Sequence, residues 1–241
     1  MIILNEGMKE ACMPRSAWQA QRMGRTSLFF LNGVAGAVTV TACLGGIARA
    51  QTFSNPAAIT IPAFGTATPY PSAISVSGVG GTVSNITATL TGFSHTFPDD
   101  VDVLLVGPQG QNVALMFGAG DGTAANNLTF TFSDAAAGAI PNTGALSSGT
   151  YRPANYYPAD VLSPPAPSAP YGTALSTFNG TDPNGTWRLY VQDKSPSNAG
   201  SISGGWSLTV TAVAAPEPSA AALAAVCLPA LLLRKRRSVS R

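Results

Sequence analysis

The feature that most constrains this chain is a two-residue hydrophobic rhythm through its middle, with no cysteine there to staple it. In Asn85-Ile86-Thr87-Ala88-Thr89-Leu90, the residues Ile86, Ala88 and Leu90 fall on one side, and Thr87 and Thr89 on the other. Leu128, Phe130 and Phe132 alternate with Thr129 and Thr131. Trp187, Leu189 and Val191 alternate with Arg188 and Tyr190. Trp206, Leu208 and Val210 alternate with Ser207, Thr209 and Thr211. Successive side chains point to opposite faces of a strand, so each segment reads as a strand with one buried face. Val101–Val106 and Val113–Phe117 are more uniformly apolar, as central strands are.

Turn chemistry separates these segments. Gly107-Pro108-Gln109-Gly110 lies between two strands at hairpin distance. Asp182-Pro183-Asn184-Gly185 precedes Trp187, and Gly204-Gly205 precedes Trp206. No part of the middle shows capped helical periodicity. Two packed antiparallel sheets are the natural architecture, and residues 51–215 are enough to bury a core without disulfides. Cys12, Cys43 and Cys227 all lie outside that stretch.

Residues 133–184 break the rhythm. Pro141, Pro153, Pro158, Pro164, Pro165, Pro167 and Pro170 are incompatible with a central strand. Tyr151, Tyr156, Tyr157 and Tyr171 make the segment too aromatic for a linker. Two roles are open to these rings: contact with a sugar or protein ligand, or a cover over one end of the core.

Charge is segregated. Between residues 51 and 215 stand only Arg152, Arg188 and Lys194, against eight aspartates: Asp99, Asp100, Asp102, Asp121, Asp134, Asp160, Asp182 and Asp193. A phosphate-binding surface needs clustered Lys and Arg, so nucleic acid is not an expected partner.

The basic residues gather at the two ends. Arg22 and Arg25 precede an apolar run from Leu28 to Leu44, followed by Ala48-Arg49-Ala50 and Gln51. A basic flank, an apolar run and a small-x-small site form a secretory signal peptide, expected over residues 1–50. Its late basic flank points to a translation start at Met13 or Met23. A retained anchor is the competing reading. Val40-Thr41-Ala42-Cys43 resembles a bacterial lipobox, which offers Cys43 as an alternative processing site. At the other end, Pro216-Glu217-Pro218 leads into an apolar stretch from Ser219 to Leu233, then Arg234-Lys235-Arg236-Arg237. Positive charge after an apolar run keeps that end cytoplasmic, with the domain outside. The arrangement resembles the PEP-CTERM sorting signal. The resemblance implies that residues 214–241 comprise a recognition motif at Pro216, Glu217 and Pro218, a transmembrane helix and a basic stop. It also implies recognition and cleavage by an exosortase-type protease.

The middle carries a second resemblance. Phe93-Ser94-His95-Thr96, then Asp100-Val101-Asp102-Val103-Leu104-Leu105 and Gly107-Pro108-Gln109-Gly110, are similar to the opening half of the P/Homo B domain. Asn184-Gly185-Thr186-Trp187-Arg188-Leu189-Tyr190-Val191-Gln192-Asp193, with Gly200 and Gly205-Trp206-Ser207-Leu208, are similar to its closing half. That domain accompanies proprotein convertases and occurs in bacterial secreted proteins. The resemblance covers about residues 75–213, leaves 51–74 as a lead-in, and implies a jelly-roll-like β-sandwich. No subtilisin-like catalytic domain precedes it here, and the region between the halves is longer and richer in proline than the family pattern.

Enzymatic signals are weak. The one histidine, His95, reads as a packed or hydrogen-bonded structural residue. No Gly-x-Ser-x-Gly elbow, HExxH or phosphate loop occurs. Asp99, Asp100 and Asp102, with Asp193 approaching from another strand, are the candidate ligands for a Ca2+ ion. The competing reading is a solvated acidic strand edge. The expectation is thus an exported, non-catalytic module of the cell surface or extracellular matrix. Exosortase, exopolysaccharide or surface proteins are its expected partners, and the membrane holds its C-terminal helix before processing. Alternatives are a carbohydrate- or Ca2+-dependent binding module, or an accessory module of a separate exported protease.

Overall fold

The computed structural model describes residues 48–214. The expected signal segment up to residue 47 with Cys43, the expected sorting motif Pro216, Glu217 and Pro218, and the expected basic stop Arg234, Lys235, Arg236 and Arg237 lie outside the described residues. No helix among the described residues is long and apolar enough to cross a membrane.

Thirteen strands follow in order: β1 (Ala48–Asn55), β2 (Ile59–Ile61), β3 (Gly65–Thr66), β4 (Ser72–Val76), β5 (Thr82–His95), β6 (Val101–Val106), β7 (Asn112–Phe117), β8 (Ala125–Phe132), β9 (Gly149–Tyr151), β10 (Ala154–Asn155), β11 (Gly185–Asp193), β12 (Gly200–Ile202) and β13 (Trp206–Val213). They form two sheets. The first runs β1-β13-β5-β12-β2, with β8 pairing β5 and β9. The second runs β10-β7-β6-β11-β3, with β4 also on β11. The protein is therefore an all-β sandwich.

Alternation fixes which side of each strand is buried. Ile86, Ala88 and Leu90 of β5, Phe130 and Phe132 of β8, and Trp206, Leu208 and Val210 of β13 meet Trp187, Leu189 and Val191 of β11 and Val101, Val103 and Leu105 of β6 in one core. Trp187 and Trp206 are both fully buried. At ~25 cal/mol per Å2 over ~200 Å2, each contributes about 5 kcal/mol of burial. The Trp187 indole N–H is satisfied by Pro183 O at 2.8 Å, and that of Trp206 by Ser72 Oγ at 3.0 Å.

The expected turns form. Gly107 N–H bonds Gln111 O at 2.8 Å to close the β6–β7 hairpin. Gly110 there adopts φ +90°, a left-handed conformation that costs glycine no Cβ clash. Before β13, Gly205 has φ +65°, and a Cβ on it would lie 2.1 Å from Asn55 O. Backbone contact requires glycine there.

Three expectations are corrected. The sandwich is not wholly antiparallel: β9 runs parallel to β8, and β10 parallel to β7. A tight hairpin forces antiparallel pairing, but the long return after β8 lets the chain re-enter in the same direction. Residues 51–74 are no lead-in, because they supply β1 to β3 and the start of β4 to both sheets. β1 pairs with β13 from Ala48↔Val213 to Asn55↔Trp206, so it spans the expected cleavage point after Ala50. Third, the proline-rich segment covers a face of the sandwich, not an end. Leu162 and Tyr171 bury the outer side of β6, β7 and β11 at Leu104, Val106, Ala114, Phe117 and Tyr190, with Tyr70 against its rim. This second apolar layer explains why every residue of β6 is buried.

Candidate functional site

The aspartates and the one histidine singled out in the sequence lie near the meeting ends of four strands. β5 finishes at His95, crosses between the sheets through a short 3-10 turn at Pro98–Asp100, and enters β6. β11 ends at Asp193 opposite Val101, and β12 begins at Gly200 opposite His95. The two sheets are thus brought together by side chains at this end.

His95 and Asp193 have no side-chain exposure, and Nε2 of the imidazole lies 3.0 Å from Asp193 Oδ2. The contact is close but poorly aligned for a hydrogen bond. On the other side of the ring, Phe97 N–H approaches Nδ1 at 3.2 Å and Phe97 O lies 2.9 Å from it. Asp193 Oδ1 accepts the Ser195 N–H at 2.8 Å. His95 comes from the first sheet and Asp193 from the second, so this pair joins them across the core.

The four candidate metal ligands do not converge. On β11, Asp193 follows Trp187, Leu189 and Val191 into the core. On β6, Asp102 alternates with Val101 and Val103 and faces the outer layer. Asp99 and Asp100 sit in the 3-10 turn, outside the strand, so Asp100 and Asp102 do not share a strand face. No group of three or more metal-ligating side chains forms among the described residues. Asp99 accepts from Tyr157 Oη at 3.1 Å, and that bond raises the phenol pKa. Asp100 lies 3.5 Å from Asn198 Nδ2. Burial, then the neighbouring charges of Asp193 and Asp99, raises its carboxyl pKa.

Asp102 is the most perturbed carboxyl. It is 3 % exposed, and burial pushes its pKa up to about 8, against the opposing pull of Lys194. Lys194 Nζ stands 3.8 Å from Asp102 Oδ1 but 2.5 Å from Asp160 Oδ2, with the Tyr157 ring 3.6 Å away. The ammonium is committed to the half-exposed Asp160, and Asp102 Oδ1 has no hydrogen-bond partner among the described residues. Sequence reasoning passed over Lys194 and Asp160. The available signal was that Lys194 is the lone lysine of the middle and follows Asp193 directly.

The four tyrosines divide. Tyr171 Oη donates to Pro167 O at 2.8 Å and receives Leu162 N–H at 3.3 Å, and its ring packs edge-on against Phe117. Tyr156 Oη donates to Ile140 O at 2.7 Å, and Tyr151 packs on Phe130. These three tie the irregular segment to the core. Of the four, Tyr157 is the most exposed, at 40 %, and Asp99 and Lys194 already engage it.

No family model matches the chain, and no curated protein matches it. Among solved structures, the complex of the Aeromonas sobria serine protease with its chaperone is similar over 70 % of this chain and 27 % of that chain. The identity is 16 % and the TM-score 0.34. The serine protease of Aeromonas sobria is similar over 69 % of this chain and 27 % of that chain, at 15 % identity and a TM-score of 0.33. The chain thus spans about a quarter of the length of the structures it matches.

Proposed function

We propose that this chain is a non-catalytic, exported recognition module: a P/Homo B-like sandwich of jelly-roll type, sorted through Pro216, Glu217 and Pro218 by an exosortase-type protease. The observation that carries the non-catalytic reading is the sealing of His95 and Asp193, both without side-chain exposure. A general base must come within hydrogen-bond reach of substrate. The lone histidine instead joins the two sheets. Of the carboxyls nearby, Asp102 is buried and Asp99 is held by the chain's own Tyr157.

The partners this reading assigns are surface proteins or exopolysaccharide at the cell envelope or in the matrix. A second reading, an accessory module of a separate exported protease, has a specific support. The two segments that resemble the convertase-associated domain supply β6 and β11, which pair from Arg188↔Val106 to Asp193↔Val101. Expression of a tagged chain in a host with exosortase tests both. Mature protein outside the cell, trimmed at both ends and inert toward peptide and glycoside substrates, is the expected result. Capture of a protease from the secreted fraction would favour the second reading. Intact, unprocessed chain in the cytosol would overturn the export reading, and substrate turnover lost in His95→Ala would overturn the non-catalytic one.

A further inference from the structure

The outer face of the first sheet has a composition that neither the core nor the strand-end cluster explains. The outward positions of β1, β13, β5 and β8 carry Thr, Ser, Asn, Ala or Val, and none carries a charge. The middle of the chain carries three basic residues and eight aspartates, and none of them falls on these positions. The register aligns the hydroxyls into rows across strands. Ser54 faces Ser207, Ser207 faces Thr89, and Thr89 faces Thr131. In the next row Thr52 faces Thr209, and Thr209 faces Thr87. Neighbours across a sheet lie ~4.8 Å apart, so the face is a lattice of hydroxyl and methyl groups. Two cross-strand pairs touch directly, Thr52 Oγ1 to Thr209 Oγ1 at 2.9 Å and Thr89 Oγ1 to Thr131 Oγ1 at 3.0 Å. Each such pair uses one of its two O–H donors and leaves acceptor capacity free.

From this face we infer that the module binds a neutral polysaccharide chain laid across β1, β13, β5 and β8. This deepens the recognition-module reading and rests on it. Charge complementarity selects the occupant. An anionic polymer needs Lys and Arg, and a cation needs carboxylates. A protein interface core is enriched in aromatic residues, Met and Arg, and the face has none of them. A neutral hydroxylated chain exchanges hydrogen bonds with water for hydrogen bonds with Thr and Ser without stranding a charge. The contacts are individually weak and repeat along the rows, so affinity grows with chain length.

Native gel electrophoresis of the full chain as secreted, in gels holding neutral α- or β-glucans or an acidic uronate polymer, tests this. Retardation by at least one neutral glucan, increasing with polymer length and absent with the uronate, is expected. The triple variant Thr87→Val, Thr89→Val and Thr209→Val keeps shape and strand preference and should weaken binding about tenfold or more. Thr209→Lys at an unchanged melting temperature should do the same. No retardation by any neutral glucan, or equal retardation of the valine variant, would overturn the inference. If a protein partner still co-purifies in that case, the recognition-module reading survives without it.

Discussion

Replacing Asp102 by Asn isolates the most unusual electrostatic feature of the fold. Burial under the second apolar layer lifts this carboxyl from the usual 3.8 to about 8, because Lys194 sits closer to Asp160 than to Asp102. Between those values the native state keeps a proton that the unfolded chain has released. The native state therefore binds more protons, and stability falls as pH rises, by up to about 1.4 kcal/mol per pH unit. The loss begins above the unfolded value, is complete near pH 8, and amounts to about 6 kcal/mol. Asp102→Asn keeps the shape and never ionises. It should match the parent near pH 4 and exceed it increasingly toward pH 8. In a domain of this size a difference of ~6 kcal/mol moves the melting temperature by about 10 °C or more. Thermal and urea melts of both proteins at stepped pH give the difference directly, and the subtraction removes the similar contribution of Asp100. Parallel profiles would refute the reasoning. A variant less stable than the parent at neutral pH would show that Asp102 is ionised and paired with Lys194.

Three further outcomes follow from the same geometry. His95→Ala removes the side chain that touches Asp193 and Phe97, leaves the buried Asp193 side chain without that neighbour, and should cost about 1–3 kcal/mol in urea unfolding. Tyr171→Phe removes the hydroxyl that bonds Pro167 O and Leu162 N–H. It should cost about 1–3 kcal/mol and speed proteolytic nicking of the cover between Tyr157 and Tyr171. Because Asp99, Asp100, Asp102 and Asp193 do not meet, a calorimetric titration with Ca2+ should give no heat and no rise in melting temperature. Saturable binding lost in Asp102→Asn would contradict that separation.

Much of this protein is legible one strand at a time. The alternation of Ile86, Ala88 and Leu90, and of Trp206, Leu208 and Val210, states which side of β5 and β13 is buried, because side-chain direction in a strand depends only on local parity. Gly107 to Gly110 likewise announces the β6–β7 hairpin through turn chemistry alone. The sequence by itself thus determined an all-β, disulfide-free middle and the positions of its main strands. Long-range pairing decided the rest. Local parity does not say which sheet a strand joins or what covers its outer side. It therefore left hidden that Asp102 and Asp193 face opposite ways from neighbouring strands, that β1 belongs to the sandwich, and that Leu162 and Tyr171 lay a second apolar layer over β6. The hydroxyl rows of Thr87, Thr89 and Thr209 were visible as letters. Only the register of four strands set them side by side on one uncharged face.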